Sequence, residues 1–397
     1  MSRHTSGPLR NPLKRIRPSY LILLLLVPAV VYFFATTATY QRALTYLVPG
    51  LSVTVAATVL AYIAACILGM VLAALASLNI GERTVLRFTI AGAVLLAGAA
   101  FLLTRPKVEY VLVGKTGGKV AIIERTPSGP ADTVKTGAFP GGGGVTMYVR
   151  AAIDGPAAVE LLQDGTVQAA FLPASEVPPG VPVLWRTHFL STRLMQPALA
   201  LIVFGVAILL LTFGASQSGR HPLNIFAELY IDALRGIPML VIILYVGFPL
   251  QGAIRDATGG LINMSRLTRG VVAIALGYAA YLAEIFRAGI EAIPHGQTEA
   301  ARSLGLNGWQ TARYVVLPQA LRIVVPPLGN EFIAMLKDTS LLSVLSVRDI
   351  TQRAREFQAA TFQVFPPYNT VALLYIGLTL AASSFVKWLE RKTSWTR

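Results

Sequence analysis

The segment Leu51–Ala76 runs through 26 residues without one charged side chain. A helix needs about 20 mostly apolar residues to cross a bilayer, so this stretch alone commits the chain to lipid. Seven other segments have the same character: Tyr20–Ala35, Val85–Leu103, Leu194–Phe213, Ile237–Leu250, Gly270–Ile290, Val324–Val347 and Thr370–Trp388. In chain order the fifth span, Ile237–Leu250, is short, and the seventh, Val324–Val347, carries Asn330, Glu331, Lys337 and Asp338. Composition agrees, with 54% hydrophobic and 13% charged residues against roughly a quarter charged in an average soluble domain. Disorder, a disulfide scaffold and an ordinary cytosolic enzyme are excluded. The one cysteine, Cys66, lies in an apolar run and rules out an intrachain disulfide. The expected fold is an all-α polytopic membrane protein of about eight transmembrane helices.

A net charge of +15, from 34 Lys+Arg and 19 Asp+Glu, looks out of place on such a composition. Its location explains it, because short cytoplasmic loops carry an excess of Lys and Arg. The tail before Tyr20 holds Arg3, Arg10, Lys14, Arg15 and Arg17 with no acid, which puts the N-terminus in the cytoplasm. Eight crossings return the C-terminus to the same side, where Lys387, Arg391, Lys392 and Arg397 sit. Tyr20–Ala35 has a signal peptide as its alternative reading, and cleavage there leaves the remaining topology unchanged. The chain then divides into a basic cytoplasmic tail (1–19), spans one to three (20–104), an extracytoplasmic insert (105–190), spans four to eight (191–390) with a cytoplasmic loop (291–322), and a second tail (391–397).

The insert is rich in Gly, Pro and charge. Val108–Val113 and Val120–Ile123 alternate as short strands do, Gly141–Gly144 reads as a turn, and Pro156–Leu162 as a short helix. This is a small α/β or β-rich outer domain or an extended ordered loop. Three readings stay open: a folded spacer, a docking platform for a separate protein, and a fragment resembling an extracellular binding protein, the last from Asp154–Phe171 as a helix followed by a strand.

Several chemistries find no footing. Gly114-Lys115-Thr116 resembles the end of a phosphate loop, but position 109 is Glu where that loop needs Gly. His4, His188, His221 and His295 are scattered, so no metal site is expected. No Gly-x-Ser-x-Gly elbow occurs. The basic clusters flank spans and lack interleaved aromatics, against nucleic-acid binding.

The cytoplasmic loop is the informative segment. Pro294 opens a helix and Gly305 closes it; Gly308–Val316 starts a second, which Pro318 is expected to stop. Ala300 and Ala301 permit close approach to a partner, and Glu299 offers a carboxylate to a partner Arg or backbone donor. An amphipathic helix resting on headgroups is the other reading of the same residues.

Spacing adds a resemblance. Glu299-Ala300-Ala301-x-x-x-Gly305, followed by Leu317-Pro318, is similar to the coupling loop of ABC-importer permeases. Arg235-Gly236-Ile237-Pro238, Tyr281-x-x-Glu284-x-x-Arg287, Gly296-Gln297 and Lys337-Asp338-Thr339-Ser340-Leu341 resemble the polar amino-acid branch of that family. Together with Gly50–Ala76 the match covers about 200 residues in the family's order. It implies a five-helix importer core, here spans two, five, six, seven and eight, with spans three and four and the outer insert as an inserted hairpin. It also implies a bacterial inner-membrane location and no enzyme activity in this chain, since ATP and Mg would be used by a partner ATPase dimer. A second permease, the same or related, an extracellular amino-acid-binding protein, an amino-acid substrate and membrane lipid complete the implied partners. Glu299, Ala300, Ala301 and Gly305 would couple to the ATPase. Within the spans, Glu284, Asn330, Glu331, Lys337, Asp338 and Thr339 are candidates for the substrate path, with structural ion pairing or capping as the competing role. Arg235, Pro238 and Arg287 are gating or structural candidates. A secondary amino-acid transporter, or a membrane-anchored sensor acting through the insert, are the rival functions.

Overall fold

The computed structural model describes residues 32, 34, 36–78, 80, 81, 83–123, 126–190, 192–258 and 260–393. The expected first span, Tyr20–Ala35, lies almost wholly outside them. Among the described residues, two compact units form: the chain up to Ser77 together with Phe226 onward, and Leu78–Ile225.

The second unit contains two long helices, α3 (Thr84–Leu103) and α6 (Thr192–Ser218), and a five-stranded sheet between them in sequence. The helices pack side by side through paired glycines. A Cβ on Gly92 would lie 2.8 Å from Leu209, and one on Gly205 would lie 2.9 Å from Leu96. Lipid-facing helices associate through such small residues because apolar burial alone supplies no drive there.

The strands are β1 (Val108–Gly114), β2 (Lys119–Ile123), β3 (Tyr148–Ala152), β4 (Ala169–Pro173) and β5 (Val183–Phe189). Their order is β3-β2-β4-β1-β5, with β2 parallel to both β3 and β4, and β1 antiparallel to β4 and β5. Helix α4 (Ser128–Lys135) covers one face and α5 (Gly155–Gln163) the other. Two-sided burial explains the apolar runs Val111–Val113 in β1 and Ala169–Leu172 in β4. Leu112 and Phe171 point to the α4 side; Val111, Val113, Ala170 and Leu172 point to the α5 side. Asp154 caps α5, accepting from the Ala157 amide at 2.9 Å.

The first unit is helical. Helix α1 (Ala38–Leu47) leads into α2 (Pro49–Ala76). Pro49-Gly50 therefore sits inside a helical run rather than before it, because a proline in the first turn has no amide bond to lose. Ala57, Ala61, Ala65 and Gly69 recur every fourth residue along α2 and are buried. That stripe faces α10 (Arg266–Glu291), and a Cβ on Gly69 would stand 3.1 Å from the Ala279 carbonyl. After α7 (Pro222–Gly236) the chain turns by 107° into α8 (Met239–Tyr245), a π turn (Val246–Leu250) and α9 (Gln251–Ala257). The expected fifth span is thus part of a bent pair. Pro238 stands at the bend as the residue before α8, where it cannot continue the helix behind it.

The loop that the sequence places in the cytoplasm forms α11 (His295–Ser303) and α12 (Gly308–Thr311). The expected stop at Pro318 is not found. A π turn (Ala312–Val316) carries α12 straight into α13 (Leu317–Asp338), with Pro318 in its first turn. Pro326 and Pro327 lie inside α13, and the Tyr62 hydroxyl donates to the Leu328 carbonyl at 2.9 Å beside them. A 3-10 stretch (Thr339–Leu345), α14 (Ile350–Thr361) and α15 (Phe365–Thr393) complete the unit.

Among the described residues, five helices are long and apolar enough to cross a membrane: Ala38–Ala76, Thr84–Leu103, Pro197–Ser218, Arg266–Glu291 and Phe365–Lys392. The bent pair makes a sixth if counted as one span. The expected seventh span is α-helical, as part of α13, only to Asp338, and Glu331, Lys337 and Asp338 deny it a continuous apolar stretch.

Candidate functional site

Within the first unit, α7, α8, α10 and α13 border an open-sided cavity of about 200 Å³ lined by Leu234, Ile237, Met239, Tyr278, Tyr281, Glu331 and Asp338. One wall is apolar, from the α7–α8 bend. The opposite wall is polar, from α10 and α13. Glu331 and Asp338 are seven residues apart, so they share one face of α13 two turns apart. The Tyr278 hydroxyl donates to Asp338 Oδ2 at 2.8 Å and orients that carboxylate.

The residues singled out from sequence separate here. Glu331 and Asp338 line the cavity; Asn330 and Lys337 are exposed and do not. Glu284 is held by Arg287, which donates to both its oxygens and also pairs with Glu291 at 2.8 Å. Thr339 is buried with its hydroxyl donating to the Leu336 carbonyl at 2.7 Å. Asp338 makes no side-chain cap for the 3-10 stretch behind it. Arg235 and Pro238 flank the bend; the Arg235 guanidinium lies 5.7 Å from the Tyr281 ring centre, and its carbonyl accepts from the Tyr281 hydroxyl at 3.5 Å. Tyr278, Leu234 and Met239 were missed from sequence. Tyr278 carried a signal, a polar hydroxyl one turn before Tyr281 on an otherwise small-residue helix.

The surface helix α11 is closed by backbone geometry. Gly305 has φ +83°, its amide donates to the Arg302 carbonyl at 2.9 Å, and the Leu306 amide donates to the Ala301 carbonyl at 3.2 Å. Those paired bonds satisfy carbonyls that a helix end otherwise leaves open, and the positive φ favours glycine. Two residues on, Asn307 and Gln310 cap α12 reciprocally, each side chain accepting from the other's amide at 2.9 Å. Ala301 is buried, while Glu299 and Ala300 face outward. Leu304 is 84% exposed and Trp309 72% exposed beside them.

Residues 211–395 match the family described as binding-protein-dependent transport system inner membrane component. The chain is 37% identical over 188 residues to the glutamine transport system permease protein of Escherichia coli K12, covering 47% of this chain and 84% of that one. It is 40% identical over 168 residues to a probable amino-acid ABC transporter permease of Bacillus subtilis, covering 42% and 70%. This chain belongs to the family of binding-protein-dependent inner-membrane permeases. A crystal structure of an amino acid ABC transporter with histidines shares 39% identity with the permease over 47% of this chain and 85% of that one, at a TM-score of 0.40. The matched region takes in α11, the π turn, α13 and the cavity residues.

Proposed function

We propose that this permease translocates polar amino acids as the membrane subunit of an ATP-binding-cassette importer, fed by an extracellular binding protein and driven by separate ATPase subunits. One observation carries the mechanism. The locked surface helix α11 stands five residues before an unbroken helical run, Gly308–Asp338, whose far end bears Glu331 and Asp338 in the cavity. Force on α11 therefore reaches the cavity wall through a continuous rod.

In this reading Glu299, Ala300, Ala301 and Gly305 form the contact with an ATPase cleft, with Leu304 and Trp309 as apolar anchors. ATP-driven closure of that cleft moves α11 as a rigid body, and α13 transmits the movement. Glu331 and Asp338 lie on the substrate path, where charged groups at lipid depth face a cavity rather than acyl chains. The bend at Arg235–Pro238 is the flexible side of the same cavity. A second permease encloses the path from the opposite side. ATP and Mg bind the partners, not this chain, which serves transport and no reaction of its own.

The topology proposed is eight spans with both termini in the cytoplasm of a bacterial cell. The importer core consists of Leu51–Ala76 and the four spans from Ile237 onward, and the hairpin of spans three and four bearing the 105–190 domain is inserted outside. Its domain division is that given by the sequence: 1–19, 20–104, 105–190, 191–390 and 391–397.

Reconstitution with a co-purified ATPase and binding protein in proteoliposomes tests the function. Vanadate-sensitive, ATP-dependent uptake of an amino acid is the expected result. Uptake that follows an ion gradient and ignores ATP would overturn it.

A further inference from the structure

Helix α14 ends on Phe362, which has φ +57° and donates its amide to the Gln358 carbonyl at 2.7 Å. Helices commonly close on a left-handed residue, but that residue is usually glycine, which reaches positive φ without strain. Phenylalanine is strained there. Its ring is also left in the open, 90% exposed, with Val364 49% and Phe365 76% exposed beside it. A side chain that strains its backbone and buries almost nothing within the chain points to a contact outside it. The loop is rigidly held. The Tyr368 hydroxyl donates to Gln358 Oε1 at 2.7 Å, tying the start of α15 to α14, and Asn369 Nδ2 donates to the Tyr40 hydroxyl of α1 at 3.0 Å. Pro366 and Pro367 fix the first turn of α15. Phe362, Val364 and Phe365 therefore form a fixed apolar tip.

What the tip meets follows from charge and length. No Asp, Glu, Lys, Arg or His occurs between Glu356 and Lys387, so nothing charged surrounds the tip on its own segment. Helix α15 supplies a ruler. Trp388 follows Tyr368 by 20 residues, about 30 Å of helix rise, and the hydrocarbon core of a bilayer is also about 30 Å thick. Trp and Tyr collect at the two edges of that core. Lys392 lies 4.5 Å from the Trp388 ring centre, and Arg391 and Lys392 occupy the last turn of α15, as suits headgroups beyond one edge. The other edge then falls at Tyr368, and Phe365 and Phe362 stand just past it, at headgroup depth. Between the edges Leu373, Ile376 and Leu380 are exposed at spacings that put them on the same helix face as Phe365. The tip continues the apolar stripe of the span.

We propose that residues 362–365 are a lipid anchor, with Phe362, Val364 and Phe365 seated between headgroups and acyl chains in the leaflet opposite the Lys387–Lys392 end of α15. Through Gln358 and Tyr40 the anchor also fixes α14 and α1 against the bilayer surface. It requires only that α15 spans the membrane, whatever the chain transports.

The test uses the full chain in vesicles of phosphatidylethanolamine and phosphatidylglycerol, with Cys66→Ala removing the native thiol. Val364→Cys carries a fluorophore, and lipids bearing a quencher near the headgroup or deep in the acyl chain report its depth. Ile153→Cys on the insert and Ile376→Cys on the α15 stripe, labelled in the same way, calibrate the aqueous and deep ends of the scale. The shallow quencher should act on the Val364 label at least about threefold more strongly than the deep one, as an interfacial position requires. Phe362→Gly, which relieves the left-handed strain, combined with Phe365→Ser should cut that shallow quenching at least about threefold, while the thermal unfolding midpoint does not fall. Quenching by aqueous iodide with neither lipid effective overturns the proposal. So does a label shielded from iodide only when an extracellular binding protein is added, which would assign the tip to a protein partner. Undiminished shallow quenching in the double variant overturns it as well, because the rings would then not hold the loop in lipid.

Discussion

Asp349, in the short loop before α14, offers a perturbation whose size follows from its surroundings. It is 1% exposed. Its Oδ1 caps α14 by accepting from the Gln352 amide at 2.7 Å, and its Oδ2 has no partner among the described residues. Burial pushes its carboxyl up from 3.8 to about 6, against the opposing pull of the Gln352 and Thr351 hydrogen bonds and the Arg355 charge. A folded-state value above the unfolded one means that the protonated form favours folding. That contribution is complete below pH 3.8 and is lost as the pH rises through about 6. The rise from 3.8 to about 6 corresponds to roughly 3 kcal/mol, since a tenfold change in proton affinity is ~1.4 kcal/mol. Asn caps helices as well as Asp does and carries no charge. Asp349→Asn should therefore leave stability unchanged near pH 4 and raise it above pH 7, by up to about 3 kcal/mol. Asp349→Ala removes the cap as well and should fall about 1 kcal/mol below the Asn variant at every pH. Thermal unfolding of the detergent-solubilised chain at pH 4 and pH 8, read as midpoint shifts against the parent, checks both. A shift for Asp349→Asn that is the same at the two pH values, or a loss at pH 8, would refute this account of the buried carboxyl.

Four further outcomes are expected. Gly305→Asp should abolish transport and weaken ATPase association while the spans stay folded, since the site needs positive φ and has open space around it; normal uptake would remove the coupling role. Gly50→Ala would place a Cβ 2.7 Å from the Ile350 amide nitrogen and 2.9 Å from the Asp349 carbonyl oxygen, backbone atoms that cannot rotate away, and should cost about 1–3 kcal/mol in thermal unfolding. Phe171→Ala empties a fully buried position stacked on Trp185; a loss of about 3–5 kcal/mol should appear as premature unfolding of the sheet, followed by tryptophan fluorescence. Lys337→Met should change the apparent KM for ATP-driven amino-acid uptake in proteoliposomes less than twofold, whereas Glu331→Gln should raise it, because Glu331 lines the cavity and Lys337 does not.

Particular residues show where sequence reading reached and where it stopped. The closure of α11 at Gly305 was legible, since glycine after a helical stretch is a local signal with a local cause. The strands at Val108 and Val120 were legible for the same reason. Pro318 misled, because a proline is read as a stop only when the helix behind it is independent; here the π turn at Ala312–Val316 delivers it into a first turn, where it has no bond to break. The polar residues of the expected seventh span were found as a group but not sorted. Asn330 and Glu331 are adjacent in sequence, as are Lys337 and Asp338, yet in each pair only the second lines the cavity. Adjacent residues on a helix point about 100° apart, and which direction is inward depends on where α10 and the α7–α8 bend stand.

By itself the sequence determined that this chain lives in lipid, that an insert with strand-like alternation interrupts its apolar spans, and that a small-residue surface helix follows the span ending near Ile290. Those properties depend on hydrophobic runs, alternation and caps, all set by neighbours within a few residues. Only the tertiary structure decided the 107° bend beside Pro238, the passage of one helix from Gly308 to Asp338, and the meeting of Tyr278 with Asp338 across 60 residues of chain. A cavity is a property of the space between elements, so its membership and charge follow from helix placement and rotation, which no local pattern encodes.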